Sequence, residues 1–111
     1  MRKLILAALL AGTTAAHAQA TYFTGQDLYN RFQGTNIERS IALGYVAGVN
    51  DTHSGTAICI PPNIVTLGQL GDMVEQALRR APSERHMSAD VYVLVTLADR
   101  WPCPKKKGGS L

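Results

Sequence analysis

The sequence predicts an all-α fold, a small bundle of about four helices with a long central loop and one disulfide. Three observations carry that expectation. Apolar residues recur at helical spacing through most of the chain. Two segments open on a threonine followed three positions later by a side chain able to return its hydrogen bond, the signature of a helix start. The chain also carries two cysteines, Cys59 and Cys103, with no ligand-like histidine spacing around them.

The first segment is not part of the bundle. Arg2 and Lys3 precede the apolar run LILAALLAG, and the small-residue stretch TTAAHAQA follows. A basic start, an apolar centre of about ten residues and an A-x-A end make a cleavable signal peptide over 1–20, with cleavage after Ala18 or Ala20. The run is shorter than the roughly 20 residues a membrane-spanning helix needs, and no cysteine stands where a lipid anchor would attach. The expected product is a soluble exported domain over 21–104, followed by a basic flexible tail over 105–111, KKKGGSL. In an oxidising compartment an even pair of cysteines reads as a disulfide. Cys59 and Cys103 are 44 residues apart, and closing that loop is worth about 4 kcal/mol in the chain-entropy model.

The mature chain opens with TYFTGQDLYNRF. Thr24 with Asp27 approximates a capping box, Phe23 can pack on Leu28, and Leu28 and Phe32 share a face that ends at Gly34. A second helix follows from Ile37, Ile41, Gly44, Tyr45, Gly48 and Val49, whose spacing fits a helix and not a strand. Each glycine inside a helix costs roughly 1 kcal/mol against alanine. With Ser40 they form a ladder of small residues, so Gly44, Tyr45 and Gly48 are expected to be helix-packing positions where another backbone approaches closely. The glycines follow no strand and precede no lysine, which excludes a phosphate-binding loop.

From Asn50 to Val65 the composition turns polar and then reads CIPP, the expected long loop. A third helix starts at Thr66 with Gln69 as its capping partner and Val65 stapled to Leu70. Leu67, Leu70, Val74, Ala77 and Leu78 make its inner face, Arg79 and Arg80 suit its negative end, and Pro82 stops it. A final helix is expected from Ser83 or His86 to Trp101, with Met87, Val91, Leu94, Val95, Ala98 and Trp101 on the inner stripe. A strand is the competing reading of VYVLVTL.

Charge and motifs narrow the function. The whole chain carries a formal +3, but 21–104 holds six arginines and no lysine against eight carboxylates, so a nucleic-acid binder is excluded. Only His53 and His86 remain as histidines in the mature chain. Asp51 and His53 two apart would make an acid–base pair only with a nucleophile or a metal, and neighbours at that spacing on a helix point apart. His86 beside Arg85 reads as a cap or surface hydrogen bond. No catalytic residue, metal site or cofactor is expected, and a binding module is favoured over a small hydrolase using His53.

FTGQDL at 23–28, GYVAGVND at 44–51, CIPPNIVTLGQL at 59–70, APSERHMSA at 81–89 and WPC at 101–103 resemble, in order and spacing, the Rap/Tai proteins, the immunity family of type VI amidases. The resemblance covers essentially the whole mature chain. It implies a small helical periplasmic protein, often a homodimer, that binds and inhibits a cell-wall amidase effector delivered by a type VI secretion system. The family pattern also carries a second cysteine pair, and Phe32 and Ala42 stand at those positions here. A cross-link worth roughly 2–3 kcal/mol is therefore replaced by apolar packing. The resemblance implies inhibition by a protruding surface. The first candidate is the loop Asn50 to Ile58, with Asn50, Asp51, Thr52, His53 and Ser54 making polar contacts, and the second is Pro82 to His86, with Arg85 and His86. The other class that fits is an orphan periplasmic binding or assembly factor of the same fold with no toxin partner.

Overall fold

The computed structural model describes residues 22–105. The signal peptide expected over 1–20 and nearly all of the tail expected over 105–111 lie outside the described residues. Four α-helices make up the fold: α1 (Gly25–Phe32), α2 (Asn36–His53), α3 (Leu67–Arg80) and α4 (Ala89–Arg100), with a 3-10 turn at Pro82–Glu84. The all-α class, the four helices and the Cys59–Cys103 disulfide are as the sequence predicts. VYVLVTL is helical, within α4, and among the described residues strand pairing is limited to isolated bridges.

Local sequence fixes three of the helix starts. Thr24, Thr35 and Thr66 each take extended backbone and accept a hydrogen bond from the amide three residues on, while Asp27, Glu38 and Gln69 reach back to the cap's own amide. The box at Thr35 is one the sequence reading passes over. α2 is the central helix, touching α1, α3 and α4. The core is built from Leu28 and Phe32 of α1, Ala42, Val46 and Val49 of α2, Leu70, Val74 and Leu78 of α3, Ala89, Tyr92, Val93 and Leu97 of α4, and Ile58 from the central loop. Full burial of each large aliphatic side chain contributes about 1.5–3 kcal/mol. Phe32 and Ala42 both belong to this core, so apolar packing occupies the positions of the second cysteine pair.

Two inner faces differ from expectation by a rotation. On α2 the buried residues are Ala42, Val46 and Val49, whereas Ile37, Ile41, Gly44 and Gly48 face outward. A Cβ built on Gly44 or Gly48 meets nothing within 4 Å, so the two glycines are not packing positions between helices of this chain. Only Tyr45 of that trio packs inward, its ring 5.0 Å from that of Phe23. In the monomer, each of Gly44→Ala and Gly48→Ala is accordingly expected to raise stability by about 0.5–1 kcal/mol, read by urea denaturation at low protein concentration. A loss of stability there would contradict this, whereas a loss seen only where copies associate would place a second backbone against that face. On α4 the buried set is Ala89, Tyr92, Val93 and Leu97, and Val91 and Val95 point out. On α3 the inner face is as expected except for Leu67 in its first turn, which is exposed.

α4 also starts later than Ser83 or His86. The segment between the 3-10 turn and α4 is drawn onto the beginning of α1: the Gly25 amide donates to the Met87 carbonyl at 2.8 Å, Gln26 to Arg85 at 2.7 Å, and Ala89 to Phe23 at 2.9 Å. Backbone groups committed across the fold cannot continue a helix, so Ser88 stays extended at φ −59°, ψ 137°.

Candidate functional site

The first candidate region is mostly helix rather than loop. α2 runs through Asn50, Asp51, Thr52 and His53, and only Ser54 stands outside it as the C-terminal cap. The His53 carbonyl then accepts from the amides of Thr56, Ala57 and Ile58 at 3.0–3.1 Å, and Gly55 takes φ 85° to close the turn. That conformation favours glycine. The expected open loop from Asn50 to Ile58 is therefore a helix end and a tight turn, because these carbonyls find partners within a few residues. Asp51, Thr52 and Ser54 are exposed. Asn50 is half-buried, its Oδ1 turned inward without a hydrogen-bond partner, and the Thr52 hydroxyl donates to the Gly48 carbonyl at 2.8 Å.

Gly44, Tyr45, Gly48, Val49, Thr52, His53 and Asp90 line a shallow groove of about 440 Å³ between α2 and the start of α4. The Ser88 hydroxyl donates to Asp90 and holds its carboxyl below the usual carboxylate range against the opposing effect of partial burial. The Val91 amide, at 2.8 Å, and the charge of His53 act in the same direction as Ser88. Burial pushes the Tyr45 phenol up, and the Asp90 charge adds to this. At neutral pH the groove thus presents a carboxylate and a neutral phenol. Asp51 and His53 sit two positions apart on a helix, about 200° round its axis, and form no pair. No group of three or more potential metal ligands occurs among the described residues.

The second region divides between support and surface. Arg85 is half-buried: its Nε donates to the Leu78 carbonyl at 2.8 Å, another guanidinium nitrogen lies 3.4 Å from the Arg79 carbonyl, and the guanidinium carbon sits 3.9 Å from the Tyr29 ring centroid. It caps the end of α3 and fastens it to α1, a structural role. Arg85→Ala is expected to cost about 1–3 kcal/mol, measured by denaturant unfolding, with Arg85→Lys recovering only part because lysine lacks the planar fork. His86 is exposed, its Nδ1 3.0 Å from the Ser83 carbonyl.

A polar cluster that sequence reasoning misses lies across α1, α2 and α3. Glu75 receives Arg39 at 3.0 Å, Gln33 at 2.6 Å and Arg79 at 3.2 Å, and Arg39 also reaches Asp72 at 3.2 Å. Only the Glu75–Arg79 pair has helical spacing, the one signal the sequence offers for it. Its links are structural ties between helix surfaces, each of modest energy.

The arrangement defines a small, disulfide-braced, all-α module whose candidate residues sit on exposed helix ends and turns. The family of Rap1a immunity proteins matches residues 24–103, nearly all of the described chain. The chain belongs to that family. No curated protein matches it.

Proposed function

We propose that this chain is a periplasmic immunity protein that binds the peptidoglycan amidase effector of a type VI secretion system and occludes its active site, with no catalysis or cofactor of its own. Family membership over residues 24–103 carries the reading. The signal-peptide pattern of residues 1–20 and the Cys59–Cys103 disulfide support an oxidising compartment outside the cytoplasm. Occlusion calls for a preorganised surface, since ordering a floppy one costs binding energy. Asp51, Thr52, Ser54 and His86 are the exposed members of the expected contact set and serve as polar contacts at its edge.

The experiment is a pull-down from periplasmic extract with the oxidised chain 21–111, followed by a peptidoglycan-cleavage assay on what is retained. A cell-wall amidase that loses activity on adding the chain supports the reading. Retention of envelope-assembly proteins with no amidase overturns it.

The chain also pairs with a second copy through the outer face of α2, where Ile37 and Ile41 lie exposed beside Gly44 and Gly48, small enough for two helices to approach closely. Sedimentation equilibrium tests this. Ile41→Glu shifts a dimer to monomer, and a wild-type chain that is monomeric at tens of micromolar concentration rules the pairing out.

A further inference from the structure

We propose that the chain's principal contact with its effector is Pro61–Leu67, a stiff apolar wedge whose Ile64 and Leu67 side chains enter an uncharged, apolar cleft of the amidase. The inference rests on the immunity reading above and assigns the contact within it.

Composition gives the first argument. No residue from Ser54 to Gly71 is charged, the longest such gap within residues 22–105. Interface centres are depleted of charge and their rims are polar. Within that gap Ile64 is 55% and Leu67 41% exposed, while Ile60 and Val65 pack on the core. The chain thus tucks in one aliphatic residue before the turn and one after Ile64, and leaves the remaining two facing out.

The second argument is stiffness. Pro61 and Pro62 fix their own φ angles, and Asn63 occupies the left-handed region at φ 63°. Asparagine tolerates that conformation better than most residues. One end of the wedge is fastened by the Cys59–Cys103 disulfide and by the Cys59 amide, which donates to the Trp101 carbonyl at 2.9 Å. At the other end, Thr66 and Gln69 lock the first turn of α3. An exposed aliphatic pair held this way loses little freedom on binding.

The third argument is the backbone. Among the described residues, no backbone group from Ile60 to Val65 bonds to another element, and Pro62–Asn63 form a turn closed on itself. The Asn63 amide and the Pro62 carbonyl are therefore open to a partner's main chain. An uncharged, main-chain-rich contact of this kind associates with little dependence on salt.

The test uses the oxidised chain 21–111 against a panel of purified type VI peptidoglycan amidases, with binding followed by calorimetry and inhibition by muropeptide release. Ile64→Asp with Leu67→Asp is expected to weaken binding at least about 100-fold while the thermal midpoint is unchanged, and Ile64→Leu is expected to restore it in the single-site background. Wild-type affinity is expected to vary by less than about threefold between 50 and 500 mM salt. A wild-type chain that inhibits an amidase, with a double variant binding within about threefold of it, overturns the wedge and leaves the immunity reading standing. A wild-type chain that binds no amidase in the panel overturns the immunity reading and the wedge with it.

Discussion

Replacing Cys59 and Cys103 together by alanine is expected to destabilise the fold by about 4 kcal/mol and to lower its thermal midpoint by roughly 15–30 °C. The bond spans 44 residues, so its absence releases a large loop in the unfolded chain. It also reinforces the pairing of two short segments that lie outside the helices. Ile58 pairs with both Ser54 and Pro102, and the Cys59 amide donates to Trp101, all within a few residues of the disulfide. Calorimetry with and without a thiol reductant makes the measurement on the wild-type chain, and the double variant checks it. A fall below about 5 °C would mean that the helices alone fix the C-terminal strap.

The second large effect is expected at Ile58. It is the one core residue that no helix supplies, and it is fully buried. Ile58→Ala removes buried methyl groups from a site pinned on both sides, so collapse around the void is restricted and the cost is expected at about 2–5 kcal/mol. Ile58→Val is expected to cost about 0.5–1.5 kcal/mol, and the ratio of the two, from urea unfolding, distinguishes packing from backbone disruption. Equal losses for both variants would contradict the packing account.

Helix starts were legible in the sequence because a capping box is written within four residues: Thr24 with Asp27 and Thr66 with Gln69 announce α1 and α3 without help from the rest of the chain. The inner faces of α1 and, but for Leu67, of α3 were legible for a related reason, since each has one apolar side. α2 and α4 are different. IALGYVAGV and VYVLVTL are apolar or small all round, so spacing alone admits several inward faces and tertiary contact with the other helices selects among them. The late start of α4 was hidden because its cause, the hydrogen bonds from Phe23, Gly25 and Gln26, lies some sixty residues away. Of the candidate surface residues, Asp51, Thr52, Ser54 and His86 are where a partner can reach them. Arg85 is turned to internal use by contacts that sequence spacing does not encode, and Asn50 buries its Oδ1 without a hydrogen-bond partner.

The contacts that close this fold join its ends. The start of α1 is bonded to residues 85–89, and the middle of the chain to residues 101–103. While a chain of this topology is being made from its N-terminus, α1 can dock on α2 early, but the backbone partners of its first turn, at residues 85–89, emerge only when nearly all of the domain is out. Isolated helices of this length are marginal in water. The fold is therefore completed late, and its thiols remain separate until the final few residues bring Cys103 to Cys59.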